Sequence, residues 1–220
     1  MYQDGVAVNA ACRAVADTAS CLENTRLAIL DGNHLSPVVT VTHANGIDNR
    51  LTKLLQYLDQ TYPEEEWSDF LDDGRPIWKR IAVAGHSQGG GQAAMIAKLR
   101  AVARVVLFSS PGDAIAGHAP QDPWHAAPWL SAQVTPSNRY FGLAHDQDKT
   151  APYASILITW EALGLTAFGP LVAPESSAPL TGERTLSSPT SLQSEGSLTR
   201  TERRATISTH RFVLTARLSC

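Results

Sequence analysis

The residues with the clearest chemical meaning form a short motif, a serine set between two glycines: Gly85-His86-Ser87-Gln88-Gly89. This is the pattern G-x-S-x-G, in which a sharp turn holds the serine between a strand and a helix with its hydroxyl exposed. We expect a side chain at either glycine to collide with the neighbouring strand or helix. The start of the helix would place the backbone N–H of Gln88 where it can stabilise a developing oxyanion. The motif therefore predicts a nucleophilic Ser87 with Gln88 as an oxyanion donor.

The sequence on either side of the motif fits that prediction. The apolar run 81–84 precedes it and is typical of a strand buried on both faces. Small and helix-favouring residues follow from 88 to 100, so a helix should begin almost without a loop. Two more apolar runs, 105–108 and 139–144, predict further strands, and residues 153–163 predict another helix. This alternation of strands and helices is typical of an open parallel sheet.

The stretch WKRIAVAGHSQGGG, residues 78–91, resembles the nucleophile elbow of the α/β-hydrolase superfamily. The resemblance, to a bacterial branch of that superfamily, covers residues 1–165 and is strongest over 47–110. It implies an α/β fold of the hydrolase type, a mostly parallel sheet flanked by helices. It also implies a serine hydrolase, similar to esterases and lipases, that needs no cofactor and cleaves an ester or thioester of a small acyl substrate through an acyl-enzyme.

Other functions stay open beside the hydrolase interpretation. A catalytically silent relative would keep the motif as scaffold and work as a binding or interaction protein. An acyltransferase or a cofactor-free haloperoxidase would use the same serine. Reaction with a serine-directed phosphonate separates the silent relative from the enzymes.

The superfamily places its catalytic residues along the chain in the order serine, acid, histidine. Asp148 follows the third predicted strand and shortly precedes Pro152, so it is the expected acid, with Asp146 and Asp113 as alternatives. Taken by itself, Asp148 could equally be a helix cap. His210 is the only histidine after Asp148 and is the expected general base, since a neutral imidazole can accept the serine proton near neutral pH. The alternative for His210 is an exposed side chain in a loose tail.

The part of the chain before the motif departs from the superfamily pattern. On one interpretation residues 38–41 form a strand that leads into a degenerate oxyanion loop at 43–46. On the other, which we favour, residues 1–76 are a connection or insertion with amphipathic helices, the clearest at 47–62. The first strands of the sheet would then lie upstream of Met1.

Length and composition limit the remaining possibilities. A chain of 220 residues with 43% hydrophobic content suggests one domain. Within it we expect an N-terminal connection at 1–76, a hydrolase core at 77–171, and a Ser/Thr-rich, partly irregular segment at 172–220 that carries the histidine. The net charge of -3 makes nucleic acid an improbable partner. The oligomeric state stays open.

The same composition also sets expectations for metal binding, membrane insertion and disulfide formation. No His, Cys or acidic spacing predicts a metal site, and no apolar run predicts a membrane span. The chain as given is expected to be soluble and cytoplasmic, with an extracytoplasmic location if an upstream signal is missing. Cys12 and Cys21 could close a small disulfide loop or remain as buried thiols.

Overall fold

The protein is an assembly of five α-helices and eight short strands in the part of the chain that the structure describes. The computed structural model describes residues 6–116, 123–168 and 185–188. The helices are α1 (Val8–Arg13), α2 (Thr18–Asp31), α3 (Ile47–Thr61), α4 (Gln88–Leu99) and α5 (Tyr153–Ala162). The strands are β1 (Leu71–Asp72), β2 (Arg75–Pro76), β3 (Ala82–His86), β4 (Arg104–Phe108), β5 (Ala114–Ile115), β6 (His125–Ala126), β7 (Tyr140–His145) and β8 (Thr185–Ser188).

The main sheet is parallel and has the strand order β3-β4-β7-β8. Its three longest strands lie within one or two residues of the runs that predicted them. The molecule is therefore a mixed α/β protein with a parallel sheet. Because β3, β4 and β7 run in the same direction, they end at the same side of the sheet, which we call the carboxyl edge.

Register brings the ends of these three strands together. His86 pairs with Phe108, and Phe108 pairs with Leu143. Backbone hydrogen bonding between neighbouring segments continues one residue past β3 and β4. The Ser87 N–H donates to the Phe108 carbonyl at 2.9 Å, and the Ser109 N–H donates to the Leu143 carbonyl at 2.8 Å. Residues that follow β3 and β4 directly are thus neighbours at the carboxyl edge.

Helix α4 leaves β3 with no loop and packs against the sheet through small side chains. Ala93, Ala94 and Ala97 are fully buried, as is Met95. The fully buried Trp160 of α5 lies against the backbone of Gly142 in β7, where an added Cβ would collide with the indole ring. Both helices were predicted from sequence, and these contacts explain why small residues recur where helix meets strand.

In the N-terminal region, one of the two interpretations of the sequence is contradicted, the predicted amphipathic helix is present, and two further helices occur. Residues 38–41 do not form a strand, and 43–45 form a single turn of 3-10 helix, so the interpretation as a strand with an oxyanion loop is wrong. Helix α3 confirms the amphipathic helix. Helices α1 and α2 were not predicted, because α2 buries a mixed set that has no clear apolar stripe: Cys21, Leu22, Thr25, Arg26, Ala28, Ile29 and Leu30.

Cys12 and Cys21 form a disulfide that ties α1 to α2, with their Cα atoms 5.5 Å apart. This settles the choice that the sequence left open between a disulfide and free thiols. Closing a loop of this size stabilises a folded protein by about 2–3 kcal/mol through the entropy of the unfolded chain.

Two further observations concern the described residues as a whole. None of their helices combines the length and the apolar character required to cross a membrane. The strand β8 lies inside the Ser/Thr-rich segment that was expected to be partly irregular, and it extends the sheet beyond β7.

Candidate active site

Ser87 occupies the sharp turn between β3 and α4. Its backbone has φ 51° and ψ −118°, a region that a residue with a side chain rarely adopts, and its side chain is exposed. Such a conformation costs about 1–3 kcal/mol and persists only where the surrounding structure imposes it. The turn therefore holds the Ser87 hydroxyl out from the carboxyl edge, as the motif predicted.

The two motif glycines have different reasons for being glycine. A Cβ added at Gly85 would collide with the backbone of Gly89 and Gly90, so this glycine allows the strand and the helix to approach. A Cβ added at Gly89 would meet no atom of the described residues within 4 Å, so the predicted collision there is wrong. Gly90 provides the second close approach, because a Cβ there would collide with the Ser110 side chain.

Gln88 presents its backbone N–H in the first turn of α4. The first amides of a helix have no acceptor within that helix, and the Gln88 N–H has none among the described residues either. The Gln88 side chain is occupied elsewhere, since its Oε1 accepts the Val8 N–H at 3.2 Å. The backbone of Gln88 is therefore suited to bind an oxyanion, and its side chain attaches the start of α1 to the turn.

Asp148 lies in the loop that follows β7 at the carboxyl edge. Its Oδ1 accepts the Thr150 hydroxyl at 2.7 Å, the Thr150 N–H at 2.9 Å and the Ala151 N–H at 3.1 Å. These contacts form a turn that precedes α5, but the N-cap of that helix is Pro152 and no side chain caps it, so the interpretation of Asp148 as a helix cap is wrong. They all use one carboxylate oxygen.

The charge state of Asp148 reflects these bonds. Partial burial raises the pKa of its carboxyl, but hydrogen bonds from Thr150, Ala151 and the Ser109 hydroxyl outweigh burial and hold the pKa below its ordinary value. Asp148 is thus an ionised carboxylate near neutral pH. The Ser109 contact also connects Asp148 to the residue beside Ser87 at the carboxyl edge.

The alternative acids have other partners. Asp113 is fully buried, forms an ion pair with Arg26 and accepts the Trp129 indole N–H at 3.1 Å. Asp146 is exposed and its Oδ1 lies 3.4 Å from Nδ1 of His145. Both oxygens of Asp113 are therefore occupied, whereas the three turn bonds of Asp148 use only its Oδ1.

His210 lies outside the described residues. Two described histidines stand at the carboxyl edge. His86 ends β3 and is exposed, and His145 ends β7 with its Nδ1 accepting the Gln147 N–H at 3.0 Å. The structure thus places Ser87, Gln88 and Asp148 at one edge and does not describe the predicted base.

Sequence reasoning missed two polar groups near this edge. Ser109, which bonds to Asp148, follows β4 directly, and the rule that polar residues after parallel strands meet at one edge could have identified it. Arg26 lies under the turn from α2, 62 residues away in sequence from Gln88, and no local pattern indicates that contact.

The described residues contain no group of three or more His, Cys, Asp or Glu side chains arranged to hold a metal ion. Comparison of the chain with protein families, with curated proteins and with solved structures found no match in any of the three. Arguments about function therefore rest on the site itself.

Proposed function

We propose that the protein is a serine hydrolase that cleaves an ester or thioester of a small acyl substrate, with the catalytic machinery of the α/β-hydrolase superfamily. The observation that carries the proposal is the backbone of Ser87, strained at φ 51° where a parallel strand meets a helix N-terminus. Strain of this kind is maintained where a reactive group must be held in place. The G-x-S-x-G sequence places a serine in this turn, and its Gly85 allows the strand and the helix to approach each other.

In the proposed reaction the Ser87 hydroxyl oxygen attacks the acyl carbonyl carbon while His210 accepts its proton. The Gln88 N–H stabilises the tetrahedral oxyanion. The intermediate collapses, the C–O or C–S bond to the leaving group breaks, and the His210 proton goes to that group. Water then repeats the sequence on the acyl-enzyme and releases the acid.

The position of Asp148 supports its role as the acid. Ser87 follows β3 and Asp148 follows β7, with β4 between them. Adjacent strands lie about 4.8 Å apart, so the two chain segments are separated by about 10 Å. A histidine with a hydrogen bond to each side can bridge such a gap once the serine and aspartate side chains extend into it. Asp148 then orients the imidazole with the oxygen that the turn does not use.

The cellular location follows as a further part of the proposal. The disulfide between Cys12 and Cys21 favours an oxidising compartment, because reducing compartments keep such thiols free.

The decisive test is covalent labelling of the full chain by a fluorophosphonate probe, after circular dichroism has shown that it is folded. We expect wild type to be labelled at Ser87 and Ser87→Ala to be unlabelled. Ser131→Ala is the matched control, since Ser131 is an exposed serine in a loop, and it should label like wild type. Mapping the adduct by mass spectrometry to another residue would contradict the assignment.

One observation favours a second candidate, a silent relative that binds a partner without catalysis. In the described part of the sheet β3 is the outermost strand, and its outer edge has no backbone hydrogen-bond partner among the described residues. An open edge can accept an additional strand from another chain. A folded wild type that no fluorophosphonate labels would make this candidate the better one.

A further inference from the structure

A buried ion pair lies directly beneath the Ser87 turn. Arg26 of α2 is 1% exposed and Asp113 is fully buried. Arg26 Nε donates to Asp113 Oδ2 at 2.6 Å, and Arg26 Nη2 donates to Asp113 Oδ1. The Trp129 indole N–H also donates to Oδ2 of Asp113. The pair thus has the two-pronged geometry in which a guanidinium is most firmly held.

The third nitrogen of the same guanidinium contacts the first turn of α4. Arg26 Nη1 donates to the Gln88 carbonyl at 3.3 Å. The guanidinium also occupies the space where a side chain at residue 91 would be, since a Cβ added at Gly91 would collide with it. A glycine at this position therefore lets Arg26 lie against the helix backbone.

The stability of the protein does not explain why an ion pair is used here. Removing two charges from water costs several kcal/mol for each ion, and well-packed apolar residues often replace a buried pair without loss of stability. What the pair does provide is a planar group with donors in fixed directions. Two of these directions are occupied by Asp113 and the third points at Gln88.

Gln88 is also attached from α1. The Val8 N–H donates to its side chain, and Asn9 of α1 accepts from Arg26 Nη2 at 3.4 Å. The helices α1 and α2 that carry these groups are joined by the disulfide. Gln88 is therefore held through both its side chain and its carbonyl by a single cross-linked pair of helices.

We propose that Arg26, oriented by Asp113, is a positioning residue that fixes the first turn of α4 and so aims the Gln88 N–H at the oxyanion. The role in catalysis rests on the proposed function. The role in fixing the turn does not, because it concerns the backbone of α4 whether or not Ser87 reacts.

The test compares two double variants, each of which neutralises an Arg–Asp pair that lies at one end of α4. Arg26→Met/Asp113→Asn removes the pair at the turn and leaves an acceptor for Trp129. Arg100→Met/Asp48→Asn removes the pair at the other end of the helix, where Arg100 follows Leu99 and lies over the Trp78 ring. Both variants lose an ion pair and an arginine, but only the first loses the contact to Gln88.

Amide hydrogen exchange measures the position of the turn independently of activity. The Gly90 and Gly91 amides bond to the Ser87 carbonyl at 3.1 and 3.3 Å. We expect these amides to exchange at least tenfold faster in Arg26→Met/Asp113→Asn than in wild type or in the Arg100 double variant. Exchange that is unchanged, or that rises equally in both double variants, would overturn the proposal.

Labelling kinetics measure the consequence for the oxyanion. A misplacement of about 1 Å can cost about 10²-fold in rate, so the maximal labelling rate should fall about 10-fold to 100-fold in the Arg26 double variant. The concentration of probe that gives half of that rate should not change. Arg26→Lys keeps the charge beside Asp113 without the planar fork, so it should match wild type in thermal stability but not in labelling rate. Full recovery of the labelling rate in Arg26→Lys would refute the positioning role. A wild type that is not labelled refutes the proposed function instead, and amide exchange then decides whether Arg26 fixes the turn.

Discussion

At the scale of single residues, Asp148 closes a turn before α5 and is the acid of the proposed mechanism. One of its oxygens closes the turn before α5 through Thr150 and Ala151, and the carboxylate is ionised because these bonds and the Ser109 hydroxyl outweigh its partial burial. A residue fixed in this way can orient an imidazole without changing its own protonation. Closing the turn is therefore compatible with the proposed role as the acid.

The prediction at this scale compares Asp148→Asn with Asp146→Asn. Asparagine at 148 keeps an acceptor for the turn but loses the charge that supports an imidazolium, so the labelling rate should fall about 10²-fold to 10⁴-fold. Asp146→Asn, two residues away and exposed, should label at close to the wild-type rate. The check is the rate of fluorophosphonate labelling of both folded variants. The reverse order of effects would assign the acid to Asp146.

At the scale of elements, the unit of strand, turn and helix depends on close backbone approach at a few positions. Gly85 and Gly90 lie where β3, α4 and the segment after β4 touch, and Ser87 is strained between them. Gly89 lies in the same turn without a close neighbour. The requirement for glycine thus follows contacts with other elements rather than membership of the motif.

The prediction for this unit is a contrast between two matched substitutions. Gly85→Ala should destabilise the protein by about 3 kcal/mol or more, because the colliding atoms belong to backbone that cannot move aside. Gly89→Ala should leave stability unchanged or raise it by about 0.5–1 kcal/mol, since alanine is the better helix former. Urea unfolding followed by circular dichroism measures both. Equal losses in the two variants would show that the motif requires both glycines for folding.

At the scale of the whole molecule, the carboxylates couple stability to pH. Hydrogen bonds donated by Ser20 lower the pKa of Asp17. For Asp31, burial raises the pKa, but the hydrogen bonds from Asn33 and His34 outweigh burial and lower it. The pKa of Asp148 is lowered as well. Asp48 is the opposite case, because burial raises its pKa more than the Arg100 guanidinium lowers it.

The sign of the resulting prediction follows from proton binding. A carboxyl whose pKa is lower in the folded state contributes stability that is present above its unfolded pKa, about 3.9, and that is lost as the pH falls through the folded value. Stability should therefore decrease as the pH falls below about 4. Asp148→Asn should make this decrease shallower, and Asp48→Asn should make it steeper. Urea midpoints between pH 2.5 and 6 test both, and two slopes that change in the same direction would contradict the assignment.

The features that could be predicted from the sequence are local ones. Short apolar runs, their spacing and nearby glycines predicted the serine turn, the strand before it and the helix after it. The same local signals predicted the strands and the helix that follow. Chain order then placed Asp148 after the third strand, and the parallel sheet brings that loop to the same edge as Ser87. A catalytic hypothesis was therefore available before any tertiary contact was known.

The remaining features depended on contacts between distant parts of the chain. Helix α2 buries Arg26 only because Asp113, 87 positions later, supplies the opposite charge, and Gly91 has to be small only because Arg26 lies against it. The strand β8 exists because β7 offers an edge on which a weakly apolar segment can pair. Local periodicity records which face of an element is buried, but it contains no information about what buries that face. The sequence by itself therefore determined the serine turn between strand and helix, while the tertiary structure decided which distant residues hold that turn in place.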